Sequence, residues 1–146
     1  MKISGCAAVA LSLTTLAQAQ TAESTRLLRQ PTVSASHIAF AYANNIWTVE
    51  RAGGLARRLT SFQGQTLNPR FSPDGKWIAF SSEYAGNLDV YVLAAEGGEP
   101  KRLTWHPGAD TVQGWTHDGS EVVFASGRAT AAPSALVVAR HRHGRI

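Results

Sequence analysis

The side chains able to do acid–base, nucleophilic or ligand chemistry are few, and they fall where turns and strands would put them. Asp74 and Asp118 stand in Ser72-Pro73-Asp74-Gly75 and Thr116-His117-Asp118-Gly119. A carboxylate there suits either an acid or the cap of its own turn, and the turn is preferred because aspartate readily bonds the backbone two residues on. His106 and His117 lie eleven positions apart with no third ligand at a metal-binding spacing. His141 and His143 alternate, so on an extended strand they would point the same way, and exposed tail polarity explains them more simply than a weak metal site. Ser72 and Ser81 fall in a turn and a strand, and a catalytic triad would require them to meet a base in space. No G-x-S-x-G elbow, H-E-x-x-H pair or phosphate loop occurs. The sequence therefore assigns no catalytic, cofactor-binding or metal-ligating residue, and no cofactor.

The aromatics Trp47, Trp77, Tyr91, Trp105 and Trp115 would make a base-stacking surface in a nucleic-acid-binding protein. Trp47 recurs in phase with Tyr91, and Phe71 with Trp115, which points to packing between repeated units instead. Arg58 and Arg102 also recur in phase and are expected to meet carboxylates or edge carbonyls. Between Thr21 and Gly127 there are nine basic and ten acidic residues, so the excess positive charge lies in the leader and the tail. That balance argues against a nucleic-acid partner.

The elements that must position these residues are strands. Pro69 to Thr104 holds two alternating apolar runs, Trp77–Ser81 and Leu88–Leu93, then Arg102-Leu103-Thr104. Ser72-Pro73-Asp74-Gly75 predicts a hairpin before the first run, and Glu96-Gly97-Gly98 a second turn. A meander of this kind needs a neighbour to cover it. The neighbours are present as repeats. An offset of 44 carries Ile46-Trp47-Thr48-Val49 to Val90-Tyr91-Val92-Leu93, Gly53-Gly54 to Gly97-Gly98, Arg58-Leu59-Thr60 to Arg102-Leu103-Thr104, and Asp74-Gly75 to Asp118-Gly119. Ile38-Ala39-Phe40 meets Ile78-Ala79-Phe80 at an offset of 40.

A period in the low forties with several short strands per copy predicts an all-β fold: a partial β-propeller of about two to three blades, each a four-stranded antiparallel meander, incomplete as a closed ring. The repeats are placed at about 31–68, 69–113 and 114–146, within a propeller region 21–128. Residues 129–146 form a divergent basic tail in which Leu136-Val137-Val138 aligns with Val90-Tyr91-Val92. Thr21 to Gln30 is open to either a linker or an outermost strand.

Residues 1–20 have the form of a signal peptide: Lys2, an apolar run from Cys6 to Leu16, and the small-x-small site Ala17-Gln18-Ala19. Cleavage after Ala19 and a periplasmic or secreted location are expected. The run is too short to span a membrane. Cys6 is the only cysteine, so the mature chain is expected to hold no disulfide or reactive thiol.

The run Phe71-Ser72-Pro73-Asp74-Gly75-Lys76-Trp77-Ile78-Ala79-Phe80, with Asp89-Val90-Tyr91-Val92, Gly97-Gly98 and Arg102-Leu103-Thr104, resembles the blades of TolB and tricorn-protease propellers. Leu103-Thr104-Trp105-His106-Pro107-Gly108-Ala109 followed by Gly114-Trp115-Thr116 is most similar to the N-terminal propeller of bacterial tricorn-like serine peptidases. That resemblance spans roughly residues 31–128. It implies a substrate-access domain associated with proteolysis but without catalytic residues of its own, or alternatively a TolB-like periplasmic protein-binding module. Peptide or protein partners are implied. The expected open blade edges also allow self-association.

Overall fold

A computed structural model of the chain describes residues 28–61, 63–128 and 135–140. The expected leader and the His141 and His143 pair lie outside these residues. Eleven strands follow one another: β1 (Arg29–Val33), β2 (His37–Tyr42), β3 (Asn45–Glu50), β4 (Arg57–Arg58), β5 (Thr66–Phe71), β6 (Trp77–Ser82), β7 (Asp89–Ala94), β8 (Lys101–Arg102), β9 (Asp110–Trp115), β10 (Glu121–Ser126) and β11 (Ala135–Arg140). No helix occurs among the described residues. The strands form three antiparallel meanders in chain order, β1-β2-β3-β4, β5-β6-β7-β8 and β9-β10-β11. The fold is a partial propeller whose described sheets do not close a ring. Of the stretch Thr21 to Gln30, residues 21–27 lie outside the described residues, and Arg29 and Gln30 begin β1, the first strand of the first sheet, which lies against β5.

Turn chemistry sets the hairpins. Gly75 N donates to Ser72 O at 2.9 Å, with Gly75 at φ 72°, and Gly119 N donates to Thr116 O at 2.9 Å, with Gly119 at φ 70°. An L-residue with a Cβ is disfavoured at that angle, so glycine recurs in phase. The first strands β1 and β5 each contain a proline, which has no N–H to give a ladder. Both prolines sit at breaks in register, between Arg29 and Thr32 and between Leu67 and Arg70, with Gln30 at φ 54° and Asn68 at φ 53°. A bulge removes the demand for the missing donor.

The fourth strands are shorter than the Arg-Leu-Thr runs suggest. Pairing stops at Arg58 and Arg102, opposite Trp47 and Tyr91. Beyond them Leu59 N and Leu103 N donate to Ile46 O and Val90 O, each at 2.8 Å. Then a hydroxyl replaces the backbone: Ile46 N donates to Thr60 Oγ1 at 2.9 Å and Val90 N to Thr104 Oγ1 at 3.0 Å.

The core lies between sheets. Ala39, Ala41 and Ile46 of the first sheet meet Ile78, Phe80, Tyr91 and Leu93 of the second. On the other face Ala79, Val90 and Val92 meet Val112, Val122 and Phe124 of the third. The period-2 alternation of β6 and β7 therefore sends successive side chains to two different cores.

Candidate functional site

The first strands of the three sheets are neighbours, β1 against β5 and β5 against β9. Polar groups tie them across the sheet boundaries. Asn68 N donates to Gln30 Oε1 at 2.8 Å and Phe71 N to Thr32 Oγ1 at 3.3 Å. Arg70 Nε donates to Gln113 O at 3.2 Å, and Trp115 Nε1 donates to Arg70 O at 2.9 Å. The in-phase tryptophan thus joins neighbouring blades, with its ring against the second core.

Two clefts open between sheets. One, of about 230 Å³, lies where β1 and β5 begin and is lined by Arg29, Gln30, Tyr42, Asn44, Thr66 and Leu67. The other, of about 540 Å³, lies beyond β8 beside β11, among Leu103, Trp105, His106, Phe124, Val137 and Val138. Trp105 is 69% exposed, and the Arg102 guanidinium stands 5.9 Å from its ring centroid.

Behind the second cleft are two ion pairs, the first of which meets the expectation that Arg102 would reach a carboxylate or an edge carbonyl, and the second of which sequence reasoning missed. Arg102 reaches the fully buried Asp89 at 2.5 Å and also donates from Nε to Thr104 O at 2.7 Å. Arg128 reaches Asp110, likewise fully buried, at 2.8 Å. The sequence signal for the carboxylates is their place at the head of an otherwise apolar strand. Burial raises the pKa of the nearby Tyr91 hydroxyl above its usual value, with Arg102 acting in the opposite direction.

The sequence candidates have local partners. Asp74 Oδ1 accepts from Ser72 Oγ at 2.6 Å and from Lys76 N at 3.1 Å. Asp118 Oδ1 accepts from Thr116 Oγ1 at 2.6 Å and Ser120 N at 3.1 Å, and these bonds lower its pKa from 3.8 to about 2. Both carboxylates cap their own turns. Ser81 Oγ accepts from Val112 N at 2.8 Å, and His106 Nδ1 from Gly108 N at 3.0 Å. His117 is exposed, as is Arg58. Ser36 Oγ lies 2.8 Å from His37 Nδ1, but the two are chain neighbours in the turn before β2. Among the described residues no group of three or more His, Cys, Asp or Glu is placed to hold a metal ion. The first cleft is lined largely by polar side chains, and the second by Leu103, Trp105, Phe124, Val137 and Val138 with Arg128 and Arg140 beside them.

Residues 25–140 match the family described as the tricorn protease N-terminal beta propeller domain. Tricorn protease homolog 1 of Streptomyces coelicolor is 38% identical over 100 residues, covering 68% of this chain and 9% of that protein. The crystal structure of the tricorn protease superimposes with a TM-score of 0.60 at 28% identity, over 68% of this chain and 11% of that one. A putative TolB from Agrobacterium tumefaciens gives 0.53 at 26% identity, over 65% of this chain and 35% of that one. The chain thus spans only a small part of the relatives it matches. With three in-phase antiparallel meanders and a family match running from ahead of β1 to the end of β11, the chain belongs to the tricorn protease N-terminal β-propeller family.

Proposed function

We propose that this chain is an exported propeller segment that contacts peptides or proteins on behalf of a tricorn-like serine peptidase and performs no catalysis of its own. The observation that carries this reading is the family match over residues 25–140, on a molecule with two clefts between its sheets. Export rests on Lys2, the apolar run to Leu16 and Ala17-Gln18-Ala19. The purified chain, incubated with a peptide library, should retain peptides without shortening them. Cleavage that is lost on serine modification would overturn the non-catalytic reading. Amino-terminal sequencing of the protein recovered from the cell envelope fraction tests export, with Gln20 as the expected first residue.

A second reading, a TolB-like binding module of the cell envelope, is favoured by the likeness to a putative TolB. The coding region downstream of Ile146 separates the two. A PDZ and serine-peptidase region supports the peptidase reading, and a stop after about six blades supports the TolB-like one.

A further inference from the structure

The run Trp105-His106-Pro107-Gly108 lies between β8 and β9 and so joins the second sheet to the third. Gly108 recurs in phase with Gly64, but Phe62 stands 44 positions before His106, so the imidazole is not part of the repeat. His106 is half-buried where three loops meet. Its Nδ1 accepts from Gly108 N at 3.0 Å, and its carbonyl accepts from Asn87 Nδ2 of the β6–β7 loop at 2.8 Å. Gly108 in turn lies against the β10–β11 loop: a Cβ placed on it would stand 3.2 Å from Gly127 C and 3.3 Å from Arg128 N, and Gly127 N donates to Ala109 O at 3.0 Å. The turn held by His106 is thus wedged between a loop of the second sheet and a loop of the third. A ring nitrogen accepts an N–H only while it carries no proton itself, so the Gly108 bond requires neutral His106 with its hydrogen on Nε2. An imidazolium donates from both nitrogens and cannot keep that bond.

We propose that His106 is an acid-released clasp between the second and third sheets: protonation of Nδ1 breaks the Gly108 bond and loosens residues 106–109 from Asn87 and Gly127. The carboxylates of the elements packed around this turn are engaged elsewhere. Asp89 of β7 holds Arg102, and Asp110 of β9 holds Arg128 through Oδ2. Asp110 Oδ1 makes no hydrogen bond but is fully buried. Glu121 of β10 lies 3.6 Å from Arg140, and Glu83 of the β6–β7 loop accepts from Gln65 N at 3.0 Å. Arg128 and Arg140 line the same cleft as His106, so an added proton there meets positive charge.

The test uses the full chain and nitrogen-15 NMR from about pH 8 to about pH 5, the range in which imidazoles change charge. At the upper end the ring shifts should identify His106 as the Nε2–H tautomer. Acidification should lower the exchange protection of the Gly108 amide about tenfold, as expected for one lost hydrogen bond. The Gly127 amide and the Asn87 side-chain amide should shift with the same midpoint as the His106 ring. The chain has five histidines, so variants isolate this one. His106→Asn sets an acceptor that does not titrate two residues before Gly108 N, and it should hold protection constant across the range. His106→Phe, the residue of the first copy, should give low protection at both ends. An Nδ1–H tautomer at the upper end, Gly108 protection unchanged on acidification, or the same fall in the His106→Asn protein would overturn the proposal.

Discussion

At the scale of single residues, the copies differ most where charge is buried. Asn45, Thr60 and Arg58 of the first sheet correspond to Asp89, Thr104 and Arg102 of the second. In the first sheet Thr60 donates to Asn45 Oδ1 at 3.1 Å; in the second Thr104 donates to Asp89 Oδ1 at 3.3 Å, with the guanidinium added. Removing one partner of a buried pair leaves the other uncompensated, so Asp89→Ala should cost about 3 kcal/mol in urea unfolding. Asp89→Asn, which reproduces the first sheet's bonding, should cost clearly less, and equal losses would refute the comparison. Asp118 makes a pH prediction. Its folded pKa of about 2 lies below the ordinary 3.8, so its bonds stabilise the turn above about pH 4 and are lost as pH falls toward 2. Amide protection around Ser120 should fall over that window, and Asp118→Asn should flatten the response.

At the scale of elements, strand identity and hairpin placement were legible because apolar alternation, Pro-Asp-Gly turns and paired glycines are local signals that recur in phase. Three features were not. The bulges in β1 and β5 depend on the left-handed Gln30 and Asn68, residue types that do not announce that angle. The early end of β4 and β8 depends on a threonine hydroxyl standing in for backbone. Arg102 was expected to meet a carboxylate, but its partner Asp89 and the whole Asp110–Arg128 pair were not identified, because aligning copies highlights identity and Asp89 stands where the first copy has Asn45. The Trp115 contact between blades was anticipated by its phase with Phe71, though its hydrogen bond to Arg70 O was not. Trp115→Phe keeps the ring and removes that bond, so a loss of about 1 kcal/mol is expected in chemical denaturation. No change in midpoint would show that the Trp115 bond to Arg70 O adds nothing beyond the packing of its ring.

At the scale of the whole molecule, among the described residues no strand pairs with the side of β11 away from β10. Exposed edges promote pairing between copies. Sedimentation velocity should accordingly show mass rising with protein concentration. A single monomeric species across the whole range would count against edge pairing. The position of the second sheet has a separate consequence for sequence variation. Because Ile78 and Phe80 serve one core while Ala79, Val90 and Val92 serve the other, no face of β6 or β7 is free to become polar. In β3 burial alternates, with Ile46 and Thr48 buried and Trp47 and Val49 only partly so. A library of single substitutions scored for folded yield should therefore show tolerance alternating every second residue in β3 and almost none through Ile78–Phe80 and Val90–Leu93. The stretch that most plainly carries the repeat would then be the part of the chain least free to drift.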